Sequence, residues 1–184
     1  MLKKLIQESE SLRQLFKRNK HFKLKDLSRQ LIEEAALSDD RLKALMALIA
    51  YSLYKLSSKG HITKNPKWDF AKKEILQHLD KAVQELKSKD FREFESQLRL
   101  AVESISRIDS EISNYAHSTF EKARAKLASN AYALGLSLGQ AAALTGADKK
   151  DLLNYVGFTR MHDEAGVGLG IKERLKNLEE VLSA

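Results

Sequence analysis

Apolar residues recur at steps of three and four along most of the chain, with charged residues between them, and this spacing is typical of amphipathic helices. The pattern predicts three N-terminal helices: residues 2–18, residues 25–36, and a segment that follows Ser38 and stops at Gly60. We take Ser38 as the N-cap of the third helix, because Asp39 and Asp40 then fall in its first turn, where the helix dipole favours acids. That helix is apolar on most of its faces, so we expect it at the centre of the fold.

A long helical hairpin is predicted in the middle of the chain. Asn65 and Pro66 suit an N-cap and a first helical position, and an apolar stripe with heptad-like spacing follows them as far as Leu86. The stripe resumes at Phe91 after a short polar break and runs to Tyr115, so we expect two long antiparallel helices. The aromatic side chains near the ends of this hairpin are expected in the core: Trp68, Phe70, Phe91 and Phe94.

Two short helices around a glycine turn are predicted after a long helix that Gly135 closes. Ser137 and Gln140 have the spacing of a capping box, in which each side chain binds the other residue's backbone amide. Gly146 can adopt the positive φ that other residues resist, and Asp148 is the expected N-cap of the next helix. The two helices are expected over residues 138–145 and residues 149–156, with Gly157 as the final stop.

The spacing of Ala142 and Gly146 in this pair of helices is typical of DNA-binding helix-turn-helix motifs. The segment SLGQAAALTGADKKDLLNYVG resembles the helix-turn-helix of small prokaryotic, largely archaeal, regulators and antitoxin-like proteins. Their pattern is S-x-G-x-A-A-x-L-x-G, followed by a short helix that ends in Y-x-G or L-x-G. Residues 157–163, GFTRMHD, are similar to the continuation G-x-T-[KR]-x-H-D of some archaeal members. The resemblance covers residues 130–184 and does not extend to residues 1–110.

The resemblance implies that the second short helix is a recognition helix in the major groove of DNA. Lys149, Lys150 and Asn154 would then contact bases or phosphates, and Ser137 and Gln140 would contact backbone phosphates.

Basic residues are concentrated at the other end of the chain. The formal net charge is +7, and residues 1–30, with nine basic and three acidic residues, account for +6 of it. Residues 16–25 contain five cations and two phenylalanines, which suits a phosphate path or a base-stacking platform, with Lys17, Arg18 and Lys20 as candidate contacts. The alternative is a solvated turn between two helices, with both phenylalanines in the core.

The region of the motif itself has little positive charge. Residues 131–184 sum to −1, and Asp148 and Asp151 fall where a phosphate-facing helix prefers cations. DNA binding then requires that N-terminal cations lie beside the motif or that a dimer doubles the contact; otherwise the motif serves packing. Arg160 lies close to His162, but no catalytic partner is identifiable, so a surface position or a contact with the DNA backbone is favoured over acid–base or ribonuclease chemistry.

Composition and pattern together predict an all-α fold, a helical bundle with a long helical hairpin and a C-terminal helix-turn-helix. One proline and eight glycines are too few for the many turns of a β-sandwich or barrel. The phase of the apolar stripe shifts after Tyr115. We therefore assign residues 1–114 to an N-terminal helical bundle, and residues 115–184 to a helix-turn-helix region with a C-terminal helix.

The leading hypothesis is a non-enzymatic DNA-binding protein, a transcriptional regulator, with double-stranded DNA and a second copy of the chain as partners. The alternative is an α-helical interaction or assembly module in which the helix-turn-helix only packs, and a helical nuclease ranks third. The chain has no cysteine and no H-x-x-x-H pair, so no cofactor or metal is expected. The most apolar run, residues 44–54, is shorter than the roughly 20 residues of a membrane span, so we expect a cytoplasmic protein with no membrane partner.

Overall fold

A computed structural model describes the backbone over residues 2–112 and 119–162, and the side chains over residues 2–112 and 119–157. Within these ranges every regular element is a helix, which confirms the predicted all-α class. The helices are α1 (Leu2–Lys17), α2 (His21–Ser38), α3 (Arg41–Ser57), α4 (Gly60–Thr63), α5 (Pro66–Lys87), α6 (Phe91–Ile112), α7 (Thr119–Ala133), α8 (Leu138–Thr145) and α9 (Lys149–His162). None of these helices is both long and apolar enough to cross a lipid bilayer.

Helix α3 lies at the centre of the fold, as its pattern predicts. It packs against α1, α2, α6, α7 and α8, so nearly its whole circumference is covered. Its fully buried side chains include Met46, Ala47, Ile49, Ala50 and Leu53. Burial of a side chain the size of Leu or Ile contributes about 1.5 to 3 kcal/mol relative to exposure, so α3 supplies much of the core.

Helices α5 and α6 form the predicted hairpin. The Asn65 side chain caps α5 by accepting the Lys67 amide at 3.0 Å. Trp68 and Phe94 are buried as expected, and the Phe16 ring of α1 meets the Trp68 ring edge-on at 6.3 Å. The prediction is wrong for the other two aromatic residues of this hairpin, Phe70 and Phe91, which are 74% and 47% exposed. Phe70 lies about 200° around α5 from Trp68, and Phe91 is the first residue of α6, beside the connecting loop.

The boundary between α2 and α3 differs from the prediction. Ser38 ends α2 and its Oγ donates to the Glu34 carbonyl at 2.8 Å, so it does not cap α3. Asp40 is the N-cap, and its Oδ1 accepts the amides of the second and third residues of α3 at 3.0 and 3.1 Å. Asp39 lies between them with a left-handed backbone, φ 50°. Serine and aspartate bind backbone groups at either end of a helix, so their order along the chain does not settle which one is the cap.

Two other predicted helix ends are wrong. Helix α2 begins four residues early, at His21, and its N-cap Lys20 makes no side-chain capping bond, so the sequence carries no start signal. Gly60 begins the short helix α4 and does not close α3, which ends at Ser57. Ser58 keeps a right-handed helical backbone and donates its amide into the last turn of α3, so no left-handed glycine is required.

Helix α7 is fixed at its start by two earlier parts of the chain. Oδ2 of the buried Asp109 accepts the Phe120 amide at 2.8 Å, and the Lys59 ammonium donates to Oγ1 of Thr119 at 2.6 Å. Helix α7 packs on α2 and α3 and also contacts α8 and α9, and all of them contribute to one hydrophobic core. The predicted domain boundary after residue 114 lies outside the described residues and stays a prediction.

Candidate nucleic-acid interface

The predicted capping box at the start of α8 is confirmed. Oγ of Ser137 accepts the Gln140 amide at 3.2 Å, and Oε1 of Gln140 accepts the Ser137 amide at 2.9 Å. Gly135 and Gly146, on either side of α8, have the positive φ angles that the glycines were expected to supply, 108° and 71°. Short-range chemistry therefore sets both ends of α8.

Helices α8 and α9 pack on each other and on α7 through small and aliphatic side chains. Ala141 and Ala142 are buried, as are Leu144, Leu152 and Val156. The small alanine side chains allow close approach between helices, as the sequence pattern predicts. The apolar faces of both short helices are thus covered from within the chain.

Asp148 has a structural role at the start of α9. Its Oδ1 accepts the amides of Lys150 and Asp151 at 2.8 and 3.1 Å, which confirms the predicted N-cap. The carboxylate faces the positive end of the helix dipole, so the amides at the helix start offset its charge. Asp148 therefore repels a nearby anion less than its position in the sequence suggests.

Gly157 does not stop α9, contrary to the prediction. The helix continues to His162, and Gly157 is exposed without a left-handed φ. A glycine ends a helix where the backbone turns left-handed, and here the backbone continues in the right-handed form. Arg160 therefore lies on the same helix as Lys149, although its side chain is outside the described residues.

Four of the exposed residues of α9 lie on one outward face of the helix. Lys149, Lys150, Leu153 and Asn154 are exposed, and at about 100° per residue they span about 140° of the helix circumference. Asp151 is also exposed but lies about 60° beyond the edge of this face. The face thus presents two cations, one amide and one aliphatic side chain, with no carboxylate among them.

The start of α8 lies close to Lys149. Cε and Nζ of Lys149 are each 3.9 Å from the point where a Cβ on Gly139 would stand, and Oγ of Ser137 is 4.0 Å from it. Ser137 and Gln140 are exposed, and although their oxygens serve the capping box, the hydroxyl hydrogen and the amide group are still donors. The structure thus brings together three of the predicted contacts, Ser137, Gln140 and Lys149.

The basic turn between α1 and α2 is a separate region. Lys17, Arg18 and Lys20 are exposed there, and the Lys72 ammonium of α5 donates to Oδ1 of Asn19 at 2.6 Å, which holds the turn against α5. Helix α9 packs on α7 and α8. The structure therefore does not place these three cations in the group around Lys149.

An aromatic cluster that the sequence pattern missed lies beside this turn. Phe16 is buried, but Phe22 is 69% exposed and its ring lies 6.3 Å from that of Tyr54, which lies 5.7 Å from Tyr51. We call Phe22, Tyr51 and Tyr54 the aromatic ridge. Burial, with smaller contributions from Tyr155 and Tyr54, raises the pKa of Tyr51 to about 12. The spacing of Tyr51 and Tyr54 places them on one helical face, but the apolar character of α3 concealed it.

Two of the described histidines, His21 and His78, contact other side chains. Nδ1 of His78 lies 3.0 Å from Oε1 of Gln97, and the His21 ring lies 4.6 Å from the Phe22 ring. Within residues 2–112 and 119–162, no group of three histidine or acidic side chains is placed to bind a metal ion.

Comparison with known proteins gives no relative. A scan against protein-family models, a search of curated proteins and a search of solved structures found no match to this chain. The resemblance of residues 137–157 to helix-turn-helix regulators therefore stays a prediction.

Proposed function

We propose that the chain is a non-enzymatic DNA-binding protein, a transcriptional regulator, that holds double-stranded DNA with the outward face of α9. The observation that carries the proposal is the grouping of Lys149, Lys150 and Asn154 on that face. Asp148 accepts backbone amides as the N-cap, and Asp151 lies outside the face. Net charge alone does not favour this region, but the placement of its charges does.

Helix α9 has the dimensions of a major-groove reader. A helix with its side chains is about 10 to 12 Å wide, and the major groove is about 12 Å wide. Asn154 would bind adenine through its amide, and Lys149 or Lys150 would bind guanine or a phosphate. The exposed Leu153 between them suits contact with a thymine methyl group.

The start of α8 would hold the backbone of the same duplex. Ser137 and Gln140 offer donors there, and Lys149 adds a positive charge at the positive end of the α8 dipole. Two lysines give weak electrostatic binding, so a second copy of the chain on an adjacent half-site would strengthen it.

The test is the salt dependence of duplex binding, measured by fluorescence anisotropy with a labelled duplex of about 20 base pairs between about 50 and 200 mM salt. The double variant Lys149→Ala, Lys150→Ala should flatten the log–log slope by about 0.9 for each phosphate that the protein no longer neutralises. The matched control Lys73→Ala, Lys81→Ala removes two exposed lysines from α5 and should leave the slope unchanged. Equal slopes for the two double variants, or no binding of the wild type at the lowest salt, would overturn the proposal.

A second candidate is an α-helical assembly module, and the exposure of Leu153, 59%, favours it. In that case α9 would pack against a second copy of the chain. Leu153→Ser would then dissociate an oligomer seen by light scattering, and the wild type would not bind duplex DNA at the lowest salt.

A further inference from the structure

The aromatic ridge has one ring that stands open to solvent. Phe22 is 69% exposed, whereas Tyr51 and Tyr54 are half-buried and support it from α3. The Phe22 ring contacts the rings of Tyr54 and His21 at 6.3 and 4.6 Å. The exposed ring and its aromatic support form one contiguous apolar patch at the surface, which makes the ridge a candidate binding surface.

Lysines surround the ridge and are held in place by its rings. The Lys25 ammonium lies 5.8 Å from the Tyr54 centroid, and the Lys55 ammonium lies 5.5 Å from the centroids of both Tyr51 and Tyr54. Among the described residues, neither ammonium forms an ion pair. Cation–π contacts of this kind order a lysine while its charge still attracts an anion.

Further cations crowd the same end of α3. Burial lowers the pKa of Lys59, and the nearby Lys122 and Lys55 lower it further, while Asp109 acts in the opposite direction. Lys17, Arg18 and Lys20 of the basic turn and Lys23 of α2 flank Phe22 in the sequence and are exposed, with Asp26 as the one exposed acid among residues 17–26. The ridge therefore lies within an extended cationic surface, which is complementary to a polyanion.

The ridge is distinct from the outward face of α9. Helix α9 approaches it through Tyr155, which is close enough to Tyr51 to affect its pKa. At about 100° per residue, Tyr155 lies roughly opposite the centre of the face that carries Lys149 and Asn154. A duplex on that face would lie on the side of α9 away from Tyr155, so the ridge is a separate surface that does not depend on the proposed function.

We propose that the aromatic ridge is a second binding site, one that takes single-stranded nucleic acid by stacking an unpaired base on Phe22 and holding the adjacent phosphates with Lys25 and Lys55. An unpaired base has a free aromatic face, whereas the bases of a duplex are already stacked. An acidic peptide would satisfy the lysines but leave the Phe22 ring uncovered. A membrane surface would need several protruding apolar side chains, and here the exposed residues close to Phe22 in the sequence include Lys20, Lys23, Lys25 and Asp26.

The test compares a labelled oligothymidine of about 15 nucleotides with a duplex of the same length, both titrated with the full chain by anisotropy. Phe22→Ala should weaken oligothymidine binding about tenfold and change duplex binding less than about twofold. The control is Phe70→Ala, because Phe70 is as exposed, at 74%, and within the described residues its ring meets no aromatic ring or cation. It should leave both affinities unchanged.

Charge is tested separately with Lys25→Ala, Lys55→Ala, which should flatten the salt slope for oligothymidine by about 0.7 for each phosphate that is no longer neutralised. The proposal is overturned if oligothymidine does not bind at low salt, or if Phe22→Ala and Phe70→Ala have equal effects. It is also overturned if Phe22→Ala weakens duplex binding as much as oligothymidine binding, since the ridge would then belong to a duplex surface. Unchanged circular dichroism and thermal midpoints show that each variant is folded.

Discussion

Lys43 and Lys149 both lie in the first turn of a helix, yet their surroundings differ. The Lys43 side chain is 12% exposed and contacts the carboxylates of Glu34 and Glu8, the latter at 3.5 Å. Lys149 on α9 is exposed, and within the described residues it forms no ion pair. Lys43 thus links α3 to α1 and α2 through its contacts with two carboxylates, while Lys149 is accessible to a ligand.

This contrast explains why the distribution of charge along the sequence is a poor guide to the binding surface. Two of the four cations of α1 pair with acids of other helices: Lys4 with Glu34 at 2.8 Å, and Arg13 with Asp80 of α5 at 2.6 Å. Residues 131–184 sum to −1, but Asp148, one of the acids, is used as a helix cap. Charge that is available to a partner is what remains after such internal contacts.

The pKa values of Glu8 and Glu34, the two carboxylates beside Lys43, result from opposing effects. Burial raises the pKa of Glu8, and the neighbouring Lys43 acts against that rise. For Glu34, burial also acts to raise the pKa, but hydrogen bonds from Lys4, Lys43 and Gln30 outweigh it and lower the pKa to about 2. Lys43 therefore stabilises two carboxylates that would otherwise be costly to bury.

Replacing Lys43 should have the largest effect on stability. Lys43→Met leaves Glu8 and Glu34 with only the more exposed Lys4 as a cation and should lower the free energy of unfolding by about 3 kcal/mol in urea titrations followed by circular dichroism. Arg99→Met is the control, because it removes an exposed partner of Glu95 and should cost less than about 0.5 kcal/mol. Similar losses for the two variants would remove the distinction between internal and available charge.

The second prediction concerns pH. The pKa of Glu34 in the folded protein, about 2, lies below the ordinary value of 4.5, so its contribution to stability is present above pH 4.5 and disappears as the pH falls towards 2. Between pH 4.5 and 2, the free energy of unfolding of Glu34→Gln, measured by urea titration, should therefore fall by about 2 to 3 kcal/mol less than that of the wild type. The exposed Glu103→Gln should follow the wild-type curve. Parallel curves for wild type and Glu34→Gln would contradict the assignment.

A third prediction tests the backbone conformation of Gly139 within α8 and of Gly146 in the turn between α8 and α9. Gly146 has φ 71°, so Gly146→Ala should destabilise the protein by about 1 to 2 kcal/mol. Gly139 is inside α8 and an added Cβ would meet its nearest atoms at 3.9 to 4.0 Å, so Gly139→Ala should be neutral or stabilise by up to about 1 kcal/mol. Thermal unfolding distinguishes the two variants. A loss with Gly139→Ala as large as that with Gly146→Ala would show that the turn is misplaced.

The smallest effect is expected at Gly157. Because α9 continues through this exposed position and, among the described residues, no atom beyond the neighbouring backbone lies within 4 Å of an added Cβ, Gly157→Ala should raise the stability by about 0.5 to 1 kcal/mol. A left-handed helix end would give a loss of similar size, as a chemical denaturation curve would show. Such a loss of stability would show that α9 ends before Arg160.

The sequence predicts the parts of the fold that repeat or that rest on short-range chemistry. The apolar stripe of α5 and α6 repeats over many turns, and the capping box of Ser137 and Gln140 needs only a three-residue spacing. The helix boundaries predicted at Ser38, Gly60 and Gly157 are wrong because serine and glycine occur at helix ends and also elsewhere in helices.

Side-chain exposure depends on packing between distant segments and is harder to predict. Phe16 and Phe22 belong to one basic run, yet Phe16 reaches Trp68 of α5 while Phe22 remains at the surface. The role of Lys43 likewise depends on Glu8 and Glu34, which come from two other helices. Leu152 and Val156 are buried on one side of α9 and Lys150 and Asn154 are exposed on the other, but the exposure of Leu153 does not follow from the helical pattern.

Acetylation of lysines by a water-soluble ester, followed by mass spectrometry of the full chain with and without duplex DNA, tests the central claim most directly. In the free protein, Lys149 and Lys150 should react faster than Lys43, because they are exposed and Lys43 is paired. Duplex at about ten times its Kd should slow Lys149 and Lys150 about tenfold and leave Lys73 and Lys81 unchanged. Equal rates with and without duplex at Lys149 and Lys150, or protection confined to Lys17 and Lys20, would contradict the assignment of α9 as the DNA-binding face.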